Sequence, residues 1–468
     1  MREGMYSFSI YIILALLAGG ISAVYPLNIY AGALLLAAIV AAAAVHYLPF
    51  AVILAGIALS TGKIDLYKNL NVFDITILLL LFSYLKSNSF KVSLQGWPVK
   101  TAIFLIIFAT VPMLKAVNPI ESFYNLLQFF FLILSAFVFF LVFRSKALVL
   151  VFLKSWVIAS IVFLSVYIVP FILNSSYSNL YSDFLSSRAS YTFLDPNYFA
   201  SYLVTLFPFM FLGMFGTESK RMNGVLFYGM GLVLVSIILT YSRASWLTLI
   251  IVLLMLSIAF IKWNKKGLLL LAGIGFSFVI SMYFLGILDY SIERFGNLFD
   301  GSSDDGSIIE RKLILLSVFN VIKEHYLLGI GLDMFPRVYS EYQPVNFRSV
   351  ADTHNTYLTV WAEMGTFGLI AFLTLLYLSL FKRMTFYLKK DRLHFLICLS
   401  IIAFLVSSFF INNVYSRVFW CLMGLLLATK AQVDNKEPEC HNPETDFVKR
   451  GKYDSVGEND TLGSASAP

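Results

Sequence analysis

The 468-residue chain is short of charge and of cysteine. Only 13% of its side chains are Asp, Glu, Lys or Arg, where a soluble domain carries about a quarter. A soluble fold of this length must clothe a large surface in polar groups, and this chain does not have them. A cytosolic enzyme and a disordered chain are both excluded. The three cysteines, Cys398, Cys421 and Cys440, show neither a pairing pattern nor metal-ligand spacing, so no disulfide framework and no metal site is expected. Cys440–His441 is a lone neighbour pair in a polar stretch. No Asp-x-Asp occurs, and Asp304–Asp305 reads as a solvated turn. No cofactor motif is present either: Gly329-Ile330-Gly331 lacks the Lys-Ser or Lys-Thr of a phosphate loop and reads as a turn.

What is abundant is apolar. Hydrophobic residues make up 59% of the chain and mean hydropathy is +0.80. They fall in runs of about 20, the length that crosses a bilayer as a helix. A β-barrel would show alternating runs of about 10. The expected fold class is therefore all-α, a polytopic transmembrane helical bundle of about 12–14 spans. The predicted spans are 6–24, 28–44, 46–61, 72–86, 99–116, 121–143, 147–173, 197–216, 223–241, 244–262, 267–288, 355–381, 393–411 and 414–429. The first follows Arg2 and resembles a signal h-region, but its length and the spans after it favour an uncleaved helix.

The net charge of +7 and pI near 9.0 do not call for nucleic acid, because membrane proteins keep Lys and Arg in cytoplasmic loops. Lys86, Lys91, Lys100, Arg144, Lys146, Lys220, Arg221, Lys262, Lys265 and Lys266 fall on one side, as do Lys382, Arg383, Lys389, Lys390 and Arg392. Only Glu218 and Asp391 oppose them there. With that side cytoplasmic, both termini are expected inside. The domain plan is a transmembrane unit over 1–430, a long outward loop within it at 289–353, and a polar cytoplasmic tail over 431–468. Within the loop, Ser307-Ile308-Ile309-Glu310 fits a capping box. Leu315, Phe319, Ile322 and Tyr326 then recur at helical spacing, so a surface-lying amphipathic helix is predicted over roughly 308–326.

The informative residues are cations on the outward side, where the topology disfavours them. Arg188 lies in the second-longest outward loop, ahead of Asp195-Pro196-Asn197, which reads as a helix cap. Arg243 lies at a tight turn, Tyr241-Ser242-Arg243-Ala244-Ser245-Trp246. Arg311 starts the predicted loop helix, Arg417 sits at the outward end of the last span, and His354 lies where the long loop re-enters the membrane. Guanidinium is permanently charged and bidentate toward phosphate. Arginines gathered at a membrane surface suit a lipid diphosphate, stabilising the charge it gains as it leaves. A histidine could take the proton of an attacking hydroxyl. Each has a plainer reading too: headgroup contact for Arg188, snorkelling for Arg243, a polar-face charge for Arg311, an interfacial anchor for Arg417, a helix-start hydrogen bond for His354. Glu363, inside a span, is costly unless paired, and a structural partner is the expectation.

Four segments together resemble the O-antigen ligase and O-antigen polymerase superfamily of bacterial envelope glycosyltransferases. They are Arg188 with Asp195-Pro196-Asn197; Ser242-Arg243-Ala244-Ser245-Trp246; Arg311 leading to Gly329-Ile330-Gly331; and His354-Asn355-Thr356-Tyr357-Leu358 followed by Glu363-Met364-Gly365-Thr366-Phe367-Gly368. The likeness covers roughly residues 185–380, and the last segment is its most specific part. It implies a multi-pass enzyme of the GT-C type in the bacterial inner membrane, with a site facing the periplasm. The donor would be a glycan on undecaprenyl diphosphate, transferred with inversion and without a metal or other cofactor. The acceptor would be lipid A-core or a growing glycan. By resemblance His354 is catalytic, Arg188, Arg243 and Arg311 bind the diphosphate, and Arg417, Glu363 and Asn355 are accessory candidates. Two other classes were weighed. A flippase or transporter of a lipid-linked oligosaccharide should carry polar residues at mid-membrane depth, and these spans are largely apolar there. Another lipid-linked sugar transferase would be expected to carry an acid in the first outward loop, Tyr25-Pro26-Leu27, which has none.

Overall fold

The computed structural model describes residues 29–62, 65–67, 70–87, 97–174, 188–193, 195–215, 219–263, 266–284, 306–345, 352–381 and 391–434. The predicted span 6–24, Asp304–Asp305, most of the loop 174–196 and the tail beyond 434 lie outside the described residues. The first helices are α1 (Ile29–His46) and α2 (Leu48–Ser60), followed by a hairpin of β1 (Asp65–Tyr67) and β2 (Leu70–Asn71). Next come α3 (Val72–Ser87), α4 (Trp97–Thr110), α5 (Pro119–Val142), α6 (Lys146–Asn174), α7 (Pro196–Leu206), α8 (Lys220–Leu239), α9 (Arg243–Trp263) and α10 (Lys266–Phe284). The rest are α11 (Gly306–His325), α12 (Phe335–Tyr342), α13 (Thr356–Leu376), α14 (Arg392–Ser407) and α15 (Arg417–Asp434). Over the described residues, every predicted span except 6–24 coincides with helix for most of its length. The hairpin, antiparallel with Asp65 opposite Asn71, is an addition that the hydropathy pattern did not contain.

Among the described residues six helices are long and apolar enough to cross a membrane: α5, α6, α8, α9, α10 and α13 with its continuation. Their outer faces say what surrounds them. On α9, Ile250, Leu254, Ile258 and Ile261 are each more than half exposed, at successive turns of one stripe. Val162 and Val166 do the same on α6, and Ile103 and Ile107 are about half exposed on α4. Contiguous apolar stripes of this kind are not left against water, and lipid is the solvent they fit. The chain is a multi-pass helical bundle. Between spans in lipid, cohesion rests on close packing and interhelical hydrogen bonds. Trp156 Nε1 donates to the Tyr202 hydroxyl at 3.0 Å, and Ser160 meets the same hydroxyl at 2.7 Å, tying α6 to α7.

Two predicted spans change geometry part-way, and proline explains both. Span 197–216 is α7 only to Leu206 and then a 3₁₀ segment, Phe207–Phe215; Pro208 has no amide for the carbonyl four residues back. Span 99–116 leaves α-geometry after Thr110, and Val111–Lys115, with Pro112, is 3₁₀.

The described part of the long loop, 306–345, has its own order. α11 runs over 306–325, close to the predicted 308–326. Its start at Gly306 puts Ser307 inside the first turn, so the predicted capping box is displaced. The buried face also differs: Ile314, Val318, Val321 and Ile322 are covered, while Leu315, Phe319 and Tyr326 are exposed. The covered face joins Phe335 and Tyr339 of α12 and Ala362 of α13 in a separate core. Of the predicted stripe only Ile322 is inside, because the loop helix has an apolar residue on nearly every side. On α12, burial and the Glu324 carboxylate push the Tyr342 phenol up to about 12; it stays protonated at neutral pH and donates to Glu324 at 2.9 Å.

The join between loop and bundle is a glycine contact. α13 is broken at Gly365, where φ is 71°, and Gly329 has φ 78°. A Cβ on Gly329 would run into the Glu363 backbone, and one on Gly365 into the Leu327 backbone. The Gly329–Gly331 turn docks here through Ile330 N to Ala362 O and Gly331 N to Glu363 O, both 3.0 Å. Gly365→Ala is expected to destabilise the protein by more than the 1–2 kcal/mol of a left-handed alanine, because backbone must also move. Thermal unfolding in detergent checks this, and an unchanged midpoint would refute the close approach.

Candidate active site

Segments distant in sequence meet at one rim of the bundle. The Arg188 guanidinium donates through Nε to Thr240 O at 2.8 Å and through its NH2 arm to Asn197 Oδ1 at 3.0 Å. Ala189 N adds a bond to Leu239 O at 3.1 Å. Thr240 follows the end of α8, and only Tyr241 and Ser242 separate it from Arg243, the first residue of α9. Arg188 is thus clasped to the backbone just ahead of Arg243. The sequence reading of a tight turn here holds: Tyr241 has φ 52°. The Asp195 cap also holds, its Oδ1 accepting from Asn197 N at 2.6 Å, with Pro196 at the first helical position.

From α7 the network continues to the histidine. The Tyr198 hydroxyl reaches Asp352 Oδ2 at 3.2 Å and Asn412 O at 2.9 Å. Asn412 Nδ2 donates to Asp352 Oδ1 at 3.0 Å, and Thr353 N donates to the same oxygen at 2.7 Å. His354 follows, part-buried with φ 51°. Asn355 then caps α13, its Oδ1 accepting from Tyr357 N and Leu358 N, both at 3.0 Å, while its amide donates to Phe409 O at 3.0 Å. Asn355 therefore fixes where the histidine stands. Among the described residues the only non-glycines with positive φ are Tyr191, Tyr241, Asp333 and His354. Each lies within three residues of Arg188, Arg243, Gly331 or Asp352. Such backbone costs about 1–3 kcal/mol per residue and gathers at functional sites.

The remaining candidates stand apart from this network. Arg311 is exposed on α11, and no hydrogen bond or ion pair joins it to Arg188, Arg243 or His354. Its helix packs on α13, so it and His354 are on neighbouring elements. Arg417 is not an interfacial anchor: its Nε and NH2 grip both oxygens of Asp74 at 2.8 and 2.7 Å, with side chains only 14% and 7% exposed. Glu363 is buried and has the structural partner expected of it, accepting from Asp333 N at 2.8 Å and Phe335 N at 3.4 Å. It holds the turn that presents Asp333.

Between these elements lies a cavity of about 460 Å³ whose wall includes Asp195, Tyr198, Asp333, Asp352, Asn412 and Arg417. Apart from Arg417 and the Asp195 cap, none of these was read from the sequence as part of a site. Asp352, two residues before His354, and Asp333, two after Gly331, were within reach of a motif reading; Tyr198 and Asn412 carried no signal at all.

Residues 228–373 match the family model O-Antigen ligase. Over that segment the chain is similar to the O-antigen ligase family. The O-antigen ligase match takes in Arg243, Arg311, His354, Asn355 and Glu363, and leaves Arg188 and Arg417 outside it. No curated protein matches the chain. Among the described residues no cluster of three or more His, Cys, Asp or Glu side chains is arranged to hold a metal ion.

Proposed function

We propose that the protein transfers a glycan from undecaprenyl diphosphate to a hydroxyl of lipid A-core or of a growing glycan, on the periplasmic face of the bacterial inner membrane. The observation that carries this is the Arg188–Thr240 clasp. It brings the Arg188 guanidinium against the backbone just ahead of Arg243, and the hydrogen bonds continue through Asn197, Tyr198 and Asp352 toward His354, which supports this reading. The acceptor oxygen attacks the anomeric carbon as its bond to the diphosphate oxygen breaks, inverting the centre. The acceptor proton passes to the His354 imidazole, and the electron pair leaves with the diphosphate. Arg188 and Arg243, joined by Arg311 from the loop helix, neutralise the departing charge, a task that preorganised guanidinium groups can perform without a metal.

The test is reconstitution in proteoliposomes with an undecaprenyl-diphosphate glycan and an acceptor, with and without EDTA. Turnover that persists in EDTA supports the reading; EDTA inhibition reversed by a divalent ion contradicts its metal-free part. Movement of donor across the bilayer without turnover would favour a flippase. Arg243→Lys is expected to lose activity by about tenfold or more, since an ammonium cannot replace a bidentate fork; full activity would reduce Arg243 to charge balance. Complementation of strains lacking either the ligase or the polymerase separates the two acceptors.

A further inference from the structure

We propose that the cavity between Asp195 and Asp352 is a saccharide subsite that takes an uncharged sugar ring and rejects one bearing a carboxylate or phosphate. The inference deepens the transferase reading and rests on it. The cavity's volume of about 460 Å³ falls within the range of roughly 300–1,000 Å³ typical of small-molecule sites. Its wall joins the aromatic residues Phe193 and Tyr202 to the carboxylates of Asp195, Asp333 and Asp352 and the amides of Asn412 and Asn413. Aromatic faces receive the C–H face of a pyranose. Carboxylates and amides receive its hydroxyls, which both donate and accept.

The electrostatics choose the kind of sugar. The charged residues on the described wall are the three aspartates and Arg417, and Arg417 is bound bidentately to Asp74. All three aspartates act electrostatically on the Tyr198 hydroxyl. A further anion would meet like charge. The diphosphate therefore belongs to the arginine rim, and the cavity belongs to the neutral sugar beside it.

Saturation-transfer NMR on the full chain in nanodiscs tests this with methyl hexopyranosides (gluco, galacto, manno and N-acetylglucosamine) and the corresponding uronates. At least one neutral glycoside should bind about tenfold or more tighter than its uronate. Asp333→Asn should narrow the neutral-to-uronate ratio. No neutral binder, equal or tighter uronate binding, or indifference to Asp333→Asn overturns the subsite. If the discrimination is found but proteoliposomes give no glycan transfer, the subsite stands and the transferase reading fails; transfer without discrimination shows the reverse.

Discussion

Replacing His354 by asparagine will lower glycan transfer by about 10²–10⁴-fold, the range a positioned general base supplies, and will leave the protein folded. Asparagine is the informative substitution because of the backbone. His354 has φ 51°, a region that asparagine enters far more readily than most residues. Alanine would confound loss of the imidazole with strain of about 1–2 kcal/mol. The surroundings do not depend on the ring: Asp352 is held by Thr353, Tyr198 and Asn412, and Asn355 is held by the α13 amides and Phe409. Initial rates in proteoliposomes, set against the thermal midpoint of the same preparation, decide the matter. A wild-type rate at an unchanged midpoint would remove His354 as the base. A fall in the midpoint that matches the fall in rate would make its role structural.

The second large effect is on stability. Asp74→Ala should cost about 3–5 kcal/mol, the usual penalty for stranding one partner of a buried ion pair. The stranded group is the Arg417 guanidinium, only 14% exposed. Asp74 also accepts from Asn71 N at 2.8 Å, so the hairpin end is released with it. Arg417→Met should be costly for the converse reason, leaving a buried carboxylate. Asp74→Leu with Arg417→Met should recover most of the loss, since replacing both partners by apolar groups is often neutral or better. A double-mutant cycle on thermal unfolding in detergent measures the coupling. Additive single losses would show that the pair is not a unit. The salt bridge joins α3 to α15 across 343 residues of sequence, beside the cavity.

His354 and Arg243 drew attention in the sequence because, under the positive-inside expectation, an outward cation is conspicuous, and because a tight turn and a helix start are local events. The Asp195 segment was legible as a cap for the same reason, since a cap is decided within four residues; the Asn355 cap came only from the structure. Arg417 was conspicuous by the same rule, yet its partner was not: nothing in the sequence distinguishes Asp74 from another carboxylate near a span end. Tyr198 and Asn412 were invisible, because their role is to bridge Asp352 to α7, and neither residue type announces that. The buried face of α11 was misread because apolar residues surround that helix and only its neighbours select the side that is covered.

The sequence by itself determined that this chain is a multi-pass helical membrane protein and where most of its helices lie. Those are properties of runs, periods and side asymmetries, and each is set by the preference of a local stretch for lipid or water. Only the tertiary structure decided that Arg188 is clasped ahead of Arg243, that Arg417 is engaged with Asp74, and that three aspartates enclose a cavity next to His354. Those facts depend on pairings across hundreds of residues. Such pairings arise when helices already committed by hydropathy are packed against one another, and no local composition encodes the partner.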